Sequence, residues 1–291
     1  MRFNSTELDL KDEHLFFSFL CGGKNKFEKF KNMIEIKQGD YKDLIIGVEN
    51  KSIDLIITDP PYWHKKSPGK PYSQRKAYNT DSKFANSKIF HAESEMMQKM
   101  SDFDGGEVKI MMNQVKRVMK KMNAYIFCND TLLPYYGMWA EENNYHFSVL
   151  IWEKPLSIIN KNRFSQHIEY IVRIYEYGTA LNKIEEENHL YSKVKKYSQI
   201  RGKSKLHPTQ KPVELLKEII KVSSNKNDLI LDLFAGSFST GIACLETNRK
   251  CIGFELDENY FKISKERIKK VWEEKRKEKD LQAGNLFGDG M

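Results

Sequence analysis

Five brief apolar runs set the frame for everything else in this chain: Leu55-Ile56-Ile57, Tyr125-Ile126-Phe127, Val149-Leu150-Ile151, Leu229-Ile230-Leu231 and Cys251-Ile252-Gly253-Phe254. They are short, rich in β-branched residues and apolar without a break, which describes strands covered on both faces in a largely parallel sheet. Helical spacing falls between them. Leu215, Leu216, Ile219 and Ile220 share one helix face, and Tyr260, Phe261, Ile263, Ile268 and Val271 share another. Strands alternating with amphipathic helices predict a doubly wound α/β fold. Residues 146–152 and 168–175 are more aromatic and joined by a short connection, which predicts an antiparallel addition at one sheet edge.

A chain of 291 residues with 40% hydrophobic content supports one large α/β core. The expected division is an N-terminal extension (1–31), a catalytic domain (32–275) and a C-terminal tail (276–291) with mixed charge and a Gly-rich end. Two polar stretches without clear periodicity, 63 to about 103 and 176 to about 206, interrupt the core. Irregular segments of that length inside a compact domain tend to carry function. Four scattered cysteines, Cys21, Cys128, Cys244 and Cys251, form no C-x-x-C pair and no cluster with histidine, so neither a metal site nor a disulfide framework is expected. The first residues lack the order of a secretory signal, and no apolar run approaches the length of a membrane span. A soluble protein of the reducing cytoplasm is expected.

The segment from Asn227 to Phe261 reads strand, small-residue turn, helix, strand, with Asp232 at the turn and Glu255 closing the second strand. Ala235, Gly236 and Ser237 would let a ligand approach the backbone. Glu255 sits near the offset at which an acidic side chain meets ribose hydroxyls. The glycine pattern of a dinucleotide phosphate cradle is absent. Two carboxylates without a phosphate cradle suit a nucleoside with a cationic amino-acid tail better than a nicotinamide dinucleotide.

A second strand, 52–58, runs directly into Asp59-Pro60-Pro61-Tyr62, which places these residues at its carboxyl end. The chemistry they suit is methylation of an exocyclic base amine, a poor nucleophile because its lone pair is delocalised into the ring. The Asp59 carboxylate can accept one N–H. A Pro60 carbonyl, held by the fixed φ angles of Pro60 and Pro61, can accept the other and drive the nitrogen toward tetrahedral geometry. Tyr62 offers a flat face for the base, and such stacking contributes about 1–3 kcal/mol.

In order and combination, four motifs resemble the β group of amino-methyltransferases, the adenine-N6 and cytosine-N4 DNA enzymes: Gly39-Asp40, Thr58 to Tyr62, His207-Pro208-Thr209-Gln210-Lys211-Pro212, and Asp232 to Ser237. The resemblance covers about 33–271. It implies a circularly permuted, Rossmann-like methyltransferase fold and S-adenosylmethionine as cofactor. Asp40 would bind the cofactor adenine and Glu255 its ribose, with Asp232 and Phe234 near its methionine end. The turn around His207 and Thr209 would close over the methionyl group. One departure stands out: where members usually carry the middle glycine of Gly-Ser-Gly-Thr-Thr-Gly, this chain has Phe238.

Lys and Arg number 48 against 40 Asp and Glu, a net charge of +8 that favours a polyanionic partner. The excess concentrates in the two irregular stretches. The first, at about 63–103, holds Lys65, Lys66, Arg75 and Lys76. The second holds Lys193, Lys195, Lys196, Arg201 and Lys203 with no acid from His189 to Lys211. These residues are the expected contacts to double-stranded DNA, and about 156–206 is the expected target-recognition segment. Adenine N6 is favoured over cytosine N4 because N4 members more often carry Ser at the position of Asp59. Cytosine C5 chemistry is excluded, since no cysteine follows a proline. A catalytically silent DNA-binding subunit is the alternative from another class, and relatives acting on RNA or protein glutamine generally carry Asn before the two prolines. A homodimer and a cognate restriction endonuclease are both compatible with this reading.

Overall fold

The computed structural model describes residues 33–61, 103–155, 164–165, 167–200, 202 and 205–285. Among them, eight strands form one sheet: β1 (Ile34–Gln38), β2 (Leu55–Thr58), β3 (Asn123–Cys128), β4 (His146–Glu153), β5 (Ile168–Tyr175), β6 (Val194–Lys196), β7 (Leu229–Asp232) and β8 (Lys250–Glu255). Their order is β1-β8-β7-β2-β3-β5-β4-β6. The pairs from β1 through β3 are parallel, β5 is antiparallel to both β3 and β4, and β6 returns parallel to β4. The doubly wound sheet with an antiparallel portion is therefore present. The antiparallel pair is not the rim of the sheet, however, because β6 pairs with β4 beyond it.

Successive residues of β2 divide between the two faces, as a period of two requires. Ile56 joins one core layer, while Leu55 and Ile57 join the other. On the first face lie α1 (Tyr41–Leu44), α2 (Gly105–Val118) and α3 (Leu133–Glu142). Helix α2 starts at Asp104, whose carboxylate accepts from the N–H groups of Gly106 and Glu107. It buries Val108, Met111, Met112, Val115 and Val118, each such side chain contributing roughly 1.5–3 kcal/mol. On the second face lie α4 (Val213–Ser223), α5 (Ser239–Thr247) and α6 (Glu258–Asn285). Leu215, Leu216, Ile219 and Ile220 of α4 form the buried stripe that their spacing predicts. Helix α6 extends past position 275, so the segment expected as a tail begins as helix.

Helix α5 leads from β7 to β8 on one side, and the chain after β2 leads to β3 on the other. The direction of winding thus reverses between β2 and β7, and ligands bind at the carboxyl ends of strands flanking such a reversal. Among the described residues no helix is long and apolar enough to cross a membrane.

Candidate active site

A cavity of about 710 Å³ opens at that reversal, lined from the carboxyl ends of β1, β2, β7 and β8. Asp40, Asp59, His207, Thr209, Asp232, Phe234, Ala235, Gly236, Ser237 and Glu255 all line it, as does Pro61. Residues as far apart in the chain as Asp40 and Glu255 therefore converge on one space. Pro60 is buried directly beside it. Tyr62, Lys65, Lys66, Arg75 and Lys76 lie outside the described residues, as do Arg201 and Lys203.

Thr58 joins the two central strands. Its hydroxyl donates to Asp232 Oδ1 at 3.1 Å and accepts from the Leu233 N–H at 3.1 Å. Asp232 Oδ1 also accepts from the Phe234 N–H at 3.1 Å, so the turn after β7 is tied to its own carboxylate. Glu255 does the same for the next turn: Oε2 accepts from the Gly236 N–H at 2.7 Å and Oε1 from the Asp257 N–H at 2.8 Å. Burial pushes Asp232 up to about 6 and Glu255 up to about 7, the hydrogen bonds opposing that rise only in part. No Lys or Arg among the described residues pairs with either. The site thus holds two buried acids, and its described residues supply no cation for them.

Backbone geometry keeps the floor of the cavity open. Gly236 has φ +55°, and a Cβ there would stand 3.4 Å from the His207 ring. The Thr209 N–H and hydroxyl approach His207 Nδ1 at 3.3 and 3.2 Å, and the far side of the ring packs edge-on to Tyr260 at 4.2 Å. Burial, reinforced by Lys211 and Lys205, pushes His207 down to about 4, so the imidazole is neutral. Asp40 caps α1 by accepting from the Lys42 N–H at 2.8 Å, and its neighbour Gly39 donates to the Glu255 carbonyl at 2.9 Å. Tyr41 and Phe103 pack against Phe234 with centroids 4.8 and 5.8 Å away, giving this end an aromatic wall.

Phe238 adopts the left-handed backbone that favours glycine, with φ +56° and ψ +47°. Its ring is fully buried and turned away from the cavity into the second core layer. Gly241 and Gly253 make that possible. A Cβ at either would come within 2.7 and 2.5 Å of the ring, so two small residues open the slot that the large one fills.

Asp59 has surroundings unlike those of Asp232. Lys211 Nζ forms an ion pair with Asp59 Oδ2, lies 3.2 Å from Glu169 Oε2 and is itself only 7% exposed. Lys154, at the end of β4, forms an ion pair with Glu169 Oε1. Both ammonium groups sit over aromatic rings, Lys211 at 4.9 Å from Phe127 and Lys154 at 4.8 Å from Trp152. Burial works against the ionised form of Glu169, but Lys211 and Lys154 outweigh it and hold the carboxyl below its usual range.

Several contributors are not evident from motifs alone. Lys211 is visible in the sequence only as the basic residue of its motif, while Glu169 and Lys154 are charges next to apolar strand positions. Ser264 and Arg267 of α6 pin the turn after β7. Ser264 donates to the Gly236 carbonyl at 2.6 Å, and Arg267 donates to the Ser237 carbonyl at 2.8 Å. Both are polar residues at helical spacing from Ile263 and Ile268, and that interruption of an apolar stripe is the signal they leave.

The residues expected to meet DNA divide. Lys193 and Lys196 are exposed, and Lys196 lies 3.5 Å from Glu153. Lys195, expected at the surface, is instead 3% exposed, paired with Glu218 at 2.9 Å and donating to the Leu190 carbonyl at 2.6 Å. The alternation of strand β6 turns it beneath α4, so it is a buried cation held by Glu218 and not a surface charge.

Residues 53–266 match the DNA methylase family N6_N4_Mtase, and the chain belongs to that family. It is 28% identical over 272 residues to the type II methyltransferase M2.MboI of Moraxella bovis, covering 85% of this chain and 92% of that one. An 84-residue stretch is 46% identical to the DNA adenine methyltransferase YhdJ of Escherichia coli (strain K12), covering 28% of this chain and 29% of that one. Two solved structures share the fold. The M1.HpyAVI–SAM complex has a TM-score of 0.55 at 23% identity, with 81% of this chain and all of that one covered. The cytosine-N4-specific PvuII DNA methyltransferase has a TM-score of 0.61 at 15% identity, with coverage of 83% and 92%.

Proposed function

We propose that this DNA methyltransferase transfers a methyl group from S-adenosylmethionine to N6 of an adenine flipped out of a specific double-stranded DNA sequence. The observation that carries the reading is the convergence of Asp59, at the end of β2, with the buried acids Asp232 and Glu255 on one cavity. The cofactor suits the residues present. Two buried carboxylates that no described cation pairs with match a ligand with ribose hydroxyls and a positively charged tail, and the open backbone at Gly236 allows close approach. Asp40 and Glu255 would hold its nucleoside. Asp232, Phe234, Ala235 and Ser237, with His207 and Thr209 opposite, would enclose its methionine end. When bound, it supplies an electrophilic methyl group on sulfur.

Asp59 accepts one N–H of the target amine and the Pro60 carbonyl the other, so that the nitrogen lone pair is localised and directed. Tyr62 stacks on the base. Because the target nitrogen is hydrogen-bonded within a duplex, the base must leave the stack to reach Asp59. Lys193 and Lys196, with Lys65, Lys66, Arg75, Lys76, Arg201 and Lys203, neutralise phosphates around the extruded base. Adenine is favoured because Asp59 occupies the position where cytosine-N4 members more often have Ser, and the relative YhdJ is named an adenine enzyme. Methyl transfer from labelled cofactor to duplex DNA, followed by nucleoside analysis, tests this. Label in N6-methyladenine is expected, and label in N4-methylcytosine would overturn the choice of base.

A further inference from the structure

Asp59, Lys211, Glu169 and Lys154 form an alternating chain of two acids and two bases that leads from the cavity into the sheet. Among the described residues, Asp59 Oδ2, Glu169 Oε2 and the Thr209 carbonyl at 3.4 Å accept from the Lys211 ammonium. A lysine side chain has many rotamers, and this arrangement selects one. Glu169 faces Trp152 across the β4–β5 ladder, and the Lys154 N–H donates to the His167 carbonyl at 2.7 Å, so the inner half of the chain is anchored in the sheet. Nothing in stability demands such a group. A buried ionic cluster is weak evidence of stabilisation, because desolvation offsets much of its attraction.

We propose that Lys211, Glu169 and Lys154 are positioning residues for the reaction, fixing the direction of the Asp59 carboxylate and setting the net charge beside the target amine. The proposal rests on the reading that Asp59 receives that amine. As the nitrogen takes up the methyl group it gains the positive charge that leaves sulfur, and afterwards it sheds a proton to water. Lys211 alone would oppose that gain. Glu169 offsets it, and Lys154 prevents Glu169 from drawing Lys211 off Asp59. These four groups sum to zero charge, so the cluster itself adds no excess cation beside the reacting nitrogen.

The test is single-turnover methyl transfer to duplex DNA at saturating cofactor and DNA, for Glu169→Gln, Lys154→Gln and the double variant, with affinities and unfolding midpoints measured in parallel. Glu169→Gln should slow transfer by about 10²-fold, the scale of a misplaced catalytic group, with both affinities unchanged. The double variant, whose remaining charges again balance, should be faster than Glu169→Gln alone, a coupling that a purely structural role would not produce. An unchanged rate in Glu169→Gln, or a double variant no faster than that single one, would overturn the proposal. Should Glu169→Gln not unfold cooperatively, Lys154→Gln decides: a slower rate at unchanged cofactor affinity is expected, and an unchanged rate refutes it. Asp59→Ala separates this inference from the reading beneath it. Retained turnover there removes the reading, whereas an inactive Asp59→Ala beside a fully active Glu169→Gln removes only the positioning role.

Discussion

One side of the cavity holds Asp232 and Glu255, and the other holds Asp59 backed by Glu169, yet the protein treats these two sets of acids in opposite ways. Asp232 and Glu255 are desolvated, tied to backbone N–H groups and paired with no described cation, so burial raises both. On the other side Lys211 and Lys154 are built into the fold as counter-ions, and Glu169 is held down in consequence. A site that leaves charge uncompensated is shaped for a ligand that brings the compensation. A site that neutralises itself is shaped to present one fixed group to a neutral reactant. In the proposed function, the cationic cofactor would meet the uncompensated acids and the uncharged base amine the neutralised one.

The largest expected effect is on Asp59. Asp59→Ala should reduce methyl transfer by at least roughly 10³-fold, the upper range for loss of a preorganised polar group, while calorimetry finds cofactor affinity unchanged. Weakened cofactor binding in that variant would erase the division between the two sides. Phe238 tests whether the cofactor side is floored by packing. Phe238→Ala should cost about 3–5 kcal/mol in denaturant unfolding, as for other buried aromatics, with affinity unchanged. Phe238→Gly should cost less than the alanine variant, since glycine adopts φ +56° without strain. Tighter cofactor binding in either variant would place the ring's influence inside the cavity.

Glu255→Ala should weaken cofactor binding by about 1–3 kcal/mol, the range for a missing buried hydrogen-bond partner, and leave the saturated transfer rate unchanged. The two sides should also differ in pH dependence. Asp232 and Glu255 have folded values raised from 3.8 and 4.5 to about 6 and about 7, so their contribution to stability is fully present below the ordinary carboxylate range and lost as pH rises through those values. Glu169 is lowered, so its contribution is present above 4.5 and lost as pH falls through its folded value. Thermal unfolding of Glu255→Gln against the parent from about pH 4 to 8 should therefore show the parent's relative advantage shrinking as pH rises. Cofactor affinity of the parent should increase over the same window. An affinity independent of pH would contradict the need for ionised acids. The smallest effect belongs to the surface: neutralising Lys193 and Lys196 should flatten the salt dependence of DNA binding, its logarithmic slope falling by roughly one for each phosphate no longer neutralised. An unaltered slope would mark them as ordinary solvated residues.

Features confined to one stretch of chain were legible in the sequence. The apolar runs of β2, β3, β7 and β8 announce themselves, and Asp59 and Asp232 each follow directly on such a run, so their place at strand ends is a local inference. Strand β1 is less visible because IEIKQ alternates apolar with charged residues, and β6 is three residues long within a basic segment. That brevity is also why Lys195 reads as surface charge, since three residues give a period of two nothing to repeat. The partners of Lys211 lie 42 and 152 positions away, and no local pattern encodes which acid meets which base. Phe238 shows a different limit. Its backbone angles are those glycine would adopt, but the direction of its ring depends on Gly241 and Gly253, which nothing in the turn itself reveals.

The bond from the Gly39 N–H to the Glu255 carbonyl joins the first described strand to the last, and it has a consequence in time. A ribosome releases Ile34–Gln38 early, while Lys250–Glu255, its neighbour in the sheet, is still untranslated. At about 5–20 residues per second, the intervening stretch takes on the order of 10 to 40 s to make. During that interval β1 has no edge to join, and Asp40 stands without the acid that would complete its side of the cavity. With Asp40 and Glu255 holding the cofactor, as proposed, the nascent chain would bind none until almost the whole domain had emerged, so the order of synthesis itself would keep an unfinished enzyme silent.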